Sequence, residues 1–271
     1  MTDTSSERYV VTIARHGSRM TTRSEVFLNY GLYHESDGPI GMDYFVWVIR
    51  NASRTIVLDT GFSRRGAEAR GRDVLVDVPQ LFTQLGVDPA EAPLVVISHA
   101  HYDHIGNLDH FHSSRFLLSR KEFEFWNGPH ATKPLFHHSV EDSELDMLRG
   151  LVRDGRVDFF DDSVQVAPGV EAIEVGGHTP GQTALIVDTS EGKVLLASDA
   201  VHYYEELEAD RPFVSVTDVV GMYDSFERIR RLVDSGAIAH IVSGHDPSTL
   251  TRFTPSTGAL TDVAATIGDA E

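Results

Sequence analysis

The densest chemistry in the chain is the run Ser98-His99-Ala100-His101-Tyr102-Asp103-His104, which sets four potential metal ligands within six positions. His99 and His101 stand two apart, so an extended backbone points both imidazoles to one side, where neutral ring nitrogens can reach a single cation. A turn into a helix at Asp103 would swing Asp103 and His104 toward a second cation. Two cations about 3.5–4 Å apart polarise a carbonyl or phosphoryl oxygen and ionise a shared water, which is hydrolytic chemistry. Fourteen histidines among 271 residues seldom gather this way by chance after a buried apolar run. Further donors close other such runs: His178 follows residues 173–177, Asp199 follows 194–198, and His245 follows 240–244. Layered α/β folds build their sites at such strand ends, on rigid elements with loops free to shape a pocket. Glycines at 176, 177, 181 and 244 allow tight bends beside these donors.

The elements that must position the donors read as short apolar runs bounded by Gly, Pro, Asp or Asn. Strands are expected at 44–49, 55–58, 94–97, 115–118, 170–175, 183–187, 193–197 and 239–242. One helix is expected at 79–85, capped by Asp77 and stopped by Gly86. Another is expected at 225–233, capped by Asp224, ended by Gly236, with Phe226, Ile229, Leu232 and Val233 on one face. A third opens with the acidic residues at 141, 142, 144 and 146 and carries Leu145, Leu148 and Val152. Residues 127–141, with three His and two Pro, read as a surface loop or lid. No repeat or linker divides the chain, so residues 1–271 read as one α/β domain.

Composition narrows the chemistry. Apolar residues make up 41% and charged residues 24%, the balance of a globular protein with a sizeable core. A net charge of −18 repels a phosphate backbone or an anionic membrane, so neither nucleic acid nor membrane is an expected partner. The absence of cysteine removes disulfides, thiolate zinc sites, iron–sulfur clusters and cysteine nucleophiles. Any metal must be held by nitrogen and oxygen. The start MTDTSSERYVV has no signal-peptide pattern and no window approaches 18 apolar residues, so a cytoplasmic location is expected.

The order H-x-H-x-D-H, then a distant His, Asp and His, resembles the metallo-β-lactamase superfamily over almost the whole chain. The resemblance implies an αββα sandwich, two β-sheets between layers of helices. It implies that His99, His101 and His178 bind a first metal, Asp103, His104 and His245 a second, and that Asp199 bridges them. Leu58-Asp59-Thr60-Gly61 matches the family's early strand-turn, where Asp59 supports the site. Seven nitrogen and oxygen ligands suit two divalent metal ions, zinc first, with iron, manganese or cobalt able to take the same ligands. The redox di-iron branch would carry Glu at position 101 and a flavin domain. Branches with a Cys ligand, with a basic nuclease surface, or with a helical domain after the last His do not match either.

The nearest resemblance is to the N-acyl homoserine lactonases, in length, in ligand order and in segments 98–108, 177–181 and 197–204. It implies that a metal-bridging hydroxide attacks the lactone carbonyl, that Asp103 passes a proton to the leaving alkoxide, and that a tyrosine hydroxyl helps hold the oxyanion. Where the lactonases carry that tyrosine, this chain has His202, followed by Tyr203 and Tyr204. Either His202 donates the hydrogen bond itself or a one-residue shift presents Tyr203. The expectation is a lactonase acting on N-acyl homoserine lactone or a related small lactone. A hydrolase of another carboxylic or phosphoric ester on the same metals is the alternative, and a non-catalytic ligand sensor the third reading. Tyr102 is expected in the pocket, and Met42, Phe45 and Trp47 are expected to form an apolar lip, with at least one of them in the core. Arg64, Arg65, Arg70 and Arg72 read as a solvated loop rather than an attractor of anionic substrate. A homodimer is left open.

Overall fold

The computed structural model describes residues 7–269. In chain order the first half holds β1 (Val10–Thr22), β2 (Pro39–Arg50), β3 (Thr55–Leu58), α1 (Arg64–Arg70), β4 (Asp73–Val74), α2 (Val78–Gln84), β5 (Leu94–Ile97) and β6 (Phe116–Ser119). Next come α3 (Arg120–Trp126), α4 (Pro134–His137), α5 (Asp142–Arg153), β7 (Val157–Phe160), β8 (Ser163–Ala167), β9 (Val170–Glu174), β10 (Thr183–Thr189) and β11 (Gly192–Ser198). The chain finishes with α6 (Tyr204–Ala209), α7 (Val219–Asp234), β12 (His240–Ser243), β13 (Thr254–Pro255) and β14 (Ala264–Ile267). One sheet runs β13-β14-β1-β2-β3-β5-β6-β7 with β4 added to β1, and the other runs β12-β11-β10-β9-β8.

Period-two alternation sorts the apolar side chains between layers. Phe45, Trp47 and Ile49 of β2, Ile56 and Leu58 of β3, and Val96 of β5 meet Leu185, Val187, Val194 and Leu196 of the second sheet. The intervening Val46, Val48, Val57, Val95 and Ile97 face outward onto Leu81 and Phe82 of α2 and Leu145, Leu148 and Leu151 of α5. On the far side Ile173, Leu195 and Ala197 pack against Ile229 of α7. The result is the expected αββα sandwich, in which each fully buried aliphatic or aromatic side chain contributes about 1.5–3 kcal/mol of transfer free energy.

Several local expectations differ from the structure. β1 was not expected: Arg15, His16, Gly17 and Ser18 interrupt its apolar pattern, and a bulge between Arg15 and Gly17 shifts its register against β2. No α-helix starts at Asp103; the chain turns tightly, because the His104 carbonyl is taken by the Thr60 N–H at 2.7 Å and the Gly106 N–H by the Gly61 carbonyl at 2.8 Å, and only a short 3-10 turn at Leu108–Phe111 comes next. α7 starts at Val219, where the Asp218 side chain accepts from the Gly221 N–H, so Asp224 is inside the helix and Val233 is 38% exposed. Asp77 precedes α2 but its carboxylate pairs with Arg64 instead of capping. The 127–141 segment contains α4 and is tied back to α1 by Arg70, which donates to the carbonyls of His138 and Val140.

Candidate metal centre

β3 and β5 run parallel, as do β11 and β12, so their C-terminal ends deliver residues to one edge. β3 hands over Asp59, held at φ +63° beneath the cluster. Its Oδ1 accepts the Ser98 N–H at 2.7 Å, and its Oδ2 accepts the Ser98 hydroxyl at 2.7 Å and His104 Nδ1 at 2.8 Å. β11 hands over Asp199 through Ser198, itself at φ +46°, and β12 hands over His245 through Gly244. A Cβ on Gly244 would sit 2.6 Å from the Ser198 carbonyl oxygen, so only glycine lets these two loops close together. Gly177, at φ +86° and pressed against Met222, bends the chain into His178 in the same way.

The outer nitrogens of the imidazoles are anchored, and this fixes which nitrogen looks inward. His178 Nδ1 donates to the Ser215 carbonyl at 2.7 Å and His245 Nδ1 to the Asp43 carbonyl at 2.7 Å. His99 Nδ1 lies 3.0 Å from the Ser98 hydroxyl. Nε2 of His99, His104, His178 and His245 then converges on Asp199. Its Oδ2 lies 3.4 Å from His178 and 3.7 Å from His99; its Oδ1 lies 3.3 Å from His104 and 3.1 Å from His245. His101 offers Nδ1, 3.0 Å from His178 Nε2. Asp103 completes the set with oxygens 3.8 Å from the Nε2 atoms of His104 and His245. Two donor groups result, His99, His101, His178 and Asp199, and Asp103, His104 and His245, the ligand atoms of each lying within 4.8 Å of one another.

The donor set fits divalent cations. His99 Nε2, His104 Nε2 and Asp199 Oδ1 are buried without a hydrogen-bond partner, an arrangement that costs about 1–3 kcal/mol per atom unless something else coordinates them. Burial and the neighbouring imidazoles hold His99 and His101 well below the usual histidine range and push His178 down to about 3, which keeps their lone pairs free. Burial also opposes charge on His104, but the carboxylates of Asp199, Asp59 and Asp103 outweigh it and hold His104 well above that range.

His202 joins this cluster and Tyr203 does not. His202 Nε2 lies 3.1 Å from Asp199 Oδ2, its Nδ1 lies 3.1 Å from Glu206, and the ring stacks on Phe213 at 3.8 Å. Burial disfavours its charge, but Asp199 and Glu206 on either side push it up to about 9. The Tyr203 hydroxyl donates to the Gly41 carbonyl at 2.9 Å, so the one-residue shift that would present it is not made. A cavity of about 300 Å³ opens over the cluster, lined by Met42, Tyr102 and Asp103 among others. Phe45 is not in its wall: at 2% exposure it belongs to the core between the sheets, as does Trp47, because odd positions of β2 face the second sheet. Arg70 and Arg72 do line the cavity, contrary to the solvated loop expected, whereas Arg64 and Arg65 are exposed.

Glu122 was not singled out in the sequence, where it reads as one more charge at a helix start. It is fully buried and accepts the Ala100 N–H at 2.9 Å, the Trp126 indole N–H at 2.7 Å and the Gly181 N–H at 3.1 Å. It therefore ties the His99–His101 turn to the loop carrying His178.

The fold agrees with the comparisons to known proteins. A family model for the metallo-β-lactamase superfamily matches residues 41–245, and the chain belongs to that superfamily. Among curated proteins, an N-acyl homoserine lactonase of Bacillus sp is 24% identical over 157 residues, 58% of this chain and 57% of that protein. The N-acyl homoserine lactonase AttM of Rhizobium radiobacter is 28% identical over 180 residues, 62% of this chain and 64% of that one. The matches thus span less than two thirds of these relatives' length. Among solved structures, a quorum-quenching N-acyl homoserine lactone lactonase superposes with a TM-score of 0.75 at 20% identity, over 90% of this chain and 95% of its own. AidC, described as a dizinc quorum-quenching lactonase, gives a TM-score of 0.69 at 17% identity over 97% of this chain and 95% of its own.

Proposed function

We propose that the chain, working as one domain, is a dinuclear metal-dependent hydrolase that opens a small lactone, with N-acyl homoserine lactones the first class to test. The observation that carries this reading is the position of Asp199 between the two donor groups, with Oδ2 beside His99 and His178, Oδ1 beside His104, and His245 within reach of both oxygens, all at 3.1–3.7 Å. His99, His101 and His178 would hold one ion, Asp103, His104 and His245 the other, and Asp199 both. When bound, two such ions, zinc or another divalent metal, supply a Lewis acid and an ionised water.

The chain's own groups supply the rest. Asp103 stands in the cavity wall with a carboxylate able to take a proton from the attacking water and deliver it to the leaving ring oxygen. Glu206, 3.1 Å from His202 Nδ1, fixes the ring so that Nε2 faces Asp199 Oδ2 at 3.1 Å behind the cavity wall, from where it would donate to a developing oxyanion once Asp199 is engaged by the metals. Tyr102 and Met42 shape the wall that receives the ring. Hydrolysis adds one water across the ring C–O bond and yields a hydroxy acid. No helix among the described residues is long and apolar enough to cross a membrane, and the proposed setting is the cytoplasm, where ring opening would silence a lactone signal.

Proton release from N-hexanoyl homoserine lactone, followed in a pH-stat with the metal-loaded protein, tests the proposal. Metal-dependent ring opening supports it. Inert lactones together with rapid cleavage of phosphodiesters would replace it with the phosphoric-ester reading.

A further inference from the structure

Three guanidinium groups reach the cavity beside the donor cluster: Arg19 from β1, Arg70 at the end of α1, and Arg72 just beyond it. Arg70 is committed elsewhere, paired with Glu141 and lying 4.0 Å over the Tyr102 ring. The other two are not neutralised. Arg72 donates from Nε to the Tyr102 hydroxyl at 3.0 Å and from Nη1 to the Arg70 carbonyl at 2.8 Å. Arg19 has the Met42 thioether, 3.3 Å from its Nε. Among the described residues no carboxylate lies within 4.0 Å of either guanidinium, in a chain with 41 acidic residues.

The backbone brings the two together. The β1–β4 ladder pairs Gly17 with Val74 and Ser18 with Asp73, and Arg19 and Arg72 are the residues that follow and precede the last of these pairs. Both side chains line the same wall, where two like charges repel. An oxyanion between them removes the repulsion and satisfies the free N–H groups of both forks. Glu25 also lines the cavity, but it is exposed and makes no ion pair with either arginine, while Asp103 and Asp199 belong to the donor cluster. Because Arg72 is held by Tyr102, which sits between His101 and Asp103, a group bound there lies next to the proposed reaction centre.

We propose that Arg19 and Arg72 form an oxyanion subsite, and that the preferred substrate is a lactone or ester carrying a carboxylate or phosphate close to the bond that is cleaved. This rests on the hydrolase reading above and names its substrate class. The anionic group is a spectator: water oxygen bonds to the carbonyl carbon, the ring C–O bond breaks, and the leaving oxygen takes the proton.

The test uses the metal-loaded full chain and matched probes. γ-Carboxy-γ-butyrolactone is compared with its neutral carboxamide, and with the phosphate ester of γ-hydroxymethyl-γ-butyrolactone, in kcat/KM. Cyclopentanone carboxylate and its carboxamide, which have no ester to cleave, are compared in binding by calorimetry. The wild type is expected to favour the anion over the neutral partner at least about tenfold in both assays, the range of hydrogen bonds to charged groups. Raised salt should narrow the ratio. The ratio should collapse in Arg19→Gln/Arg72→Gln and persist in Arg64→Gln, which alters an exposed arginine outside the cavity. Equal treatment of anionic and neutral probes, or a preference that survives the double substitution, overturns the subsite. Hydrolysis of no lactone, with the calorimetric preference intact, would instead overturn the hydrolase reading and leave the subsite standing. The carboxylate and phosphate arms tell which oxyanion it suits.

Discussion

Glu122→Gln isolates the support of the metal centre from its ligands. In the wild type one carboxylate oxygen takes the Ala100 and Trp126 N–H groups and the other takes the Gly181 N–H. The amide keeps one acceptor and turns an NH2 group on whichever N–H faced the second oxygen. One buried donor is then left without a partner, a loss of about 1–3 kcal/mol, or about 2–4 °C in Tm per kcal/mol for a chain of this size. Because the orphaned donor lies on a ligand-bearing loop, metal affinity should fall about 10–100-fold, the usual range for groups that orient ligands. Chelator competition followed by metal analysis measures the affinity, and urea unfolding of the metal-free chain measures the stability. A variant with wild-type stability and wild-type metal retention would refute the bracing role.

Three further outcomes follow from the same geometry. Asp199→Asn removes the carboxylate charge that faces both donor groups, so retention of the second ion should fall and turnover should drop by orders of magnitude; unchanged metal content would remove the bridging assignment. His202→Ala should cut turnover about 10²–10³-fold, as losing an oxyanion donor does, whereas Tyr203→Phe should leave it nearly unchanged, and equal small effects would make His202 a packing neighbour of Asp199 only. Burial pushes the Glu144 carboxyl up from 4.5 to about 7, so the folded chain holds a proton there that the unfolded chain releases. Its stabilising contribution is full below about pH 4.5 and is lost as pH rises through about 7. Glu144→Gln should therefore be more stable than the wild type at pH values above 7, by up to about 3 kcal/mol, with no gain at acid pH; a gain confined to acid pH would contradict this.

The donors were legible because their chemistry is local: histidines two apart after an apolar run, and Asp or His closing three further runs, are visible without knowing which strands are neighbours. β3 and β5 were legible to the residue for the same reason, being short apolar runs buried on both faces. β1 was not, since its polar run includes Arg15, paired with Asp43, and the fully buried His16, and its bulge resets the alternation. Parity also separated Met42 from Phe45: odd positions of β2 enter the core between the sheets, while Met42 and Tyr44 fall on the other face and reach the cavity. Glu122 carried no local signal, and Arg72 only that of a basic cluster, which read as a solvated loop. One meets its partners through a loop 59 residues away, and the other gains its meaning from a strand more than fifty residues earlier.

Anomalous scattering from crystals of the metal-loaded protein tests the central claim most directly. The account predicts two peaks, one among His99, His101 and His178 and one among Asp103, His104 and His245, with Asp199 touching both. A single peak, or ions bound away from these seven side chains, would contradict it.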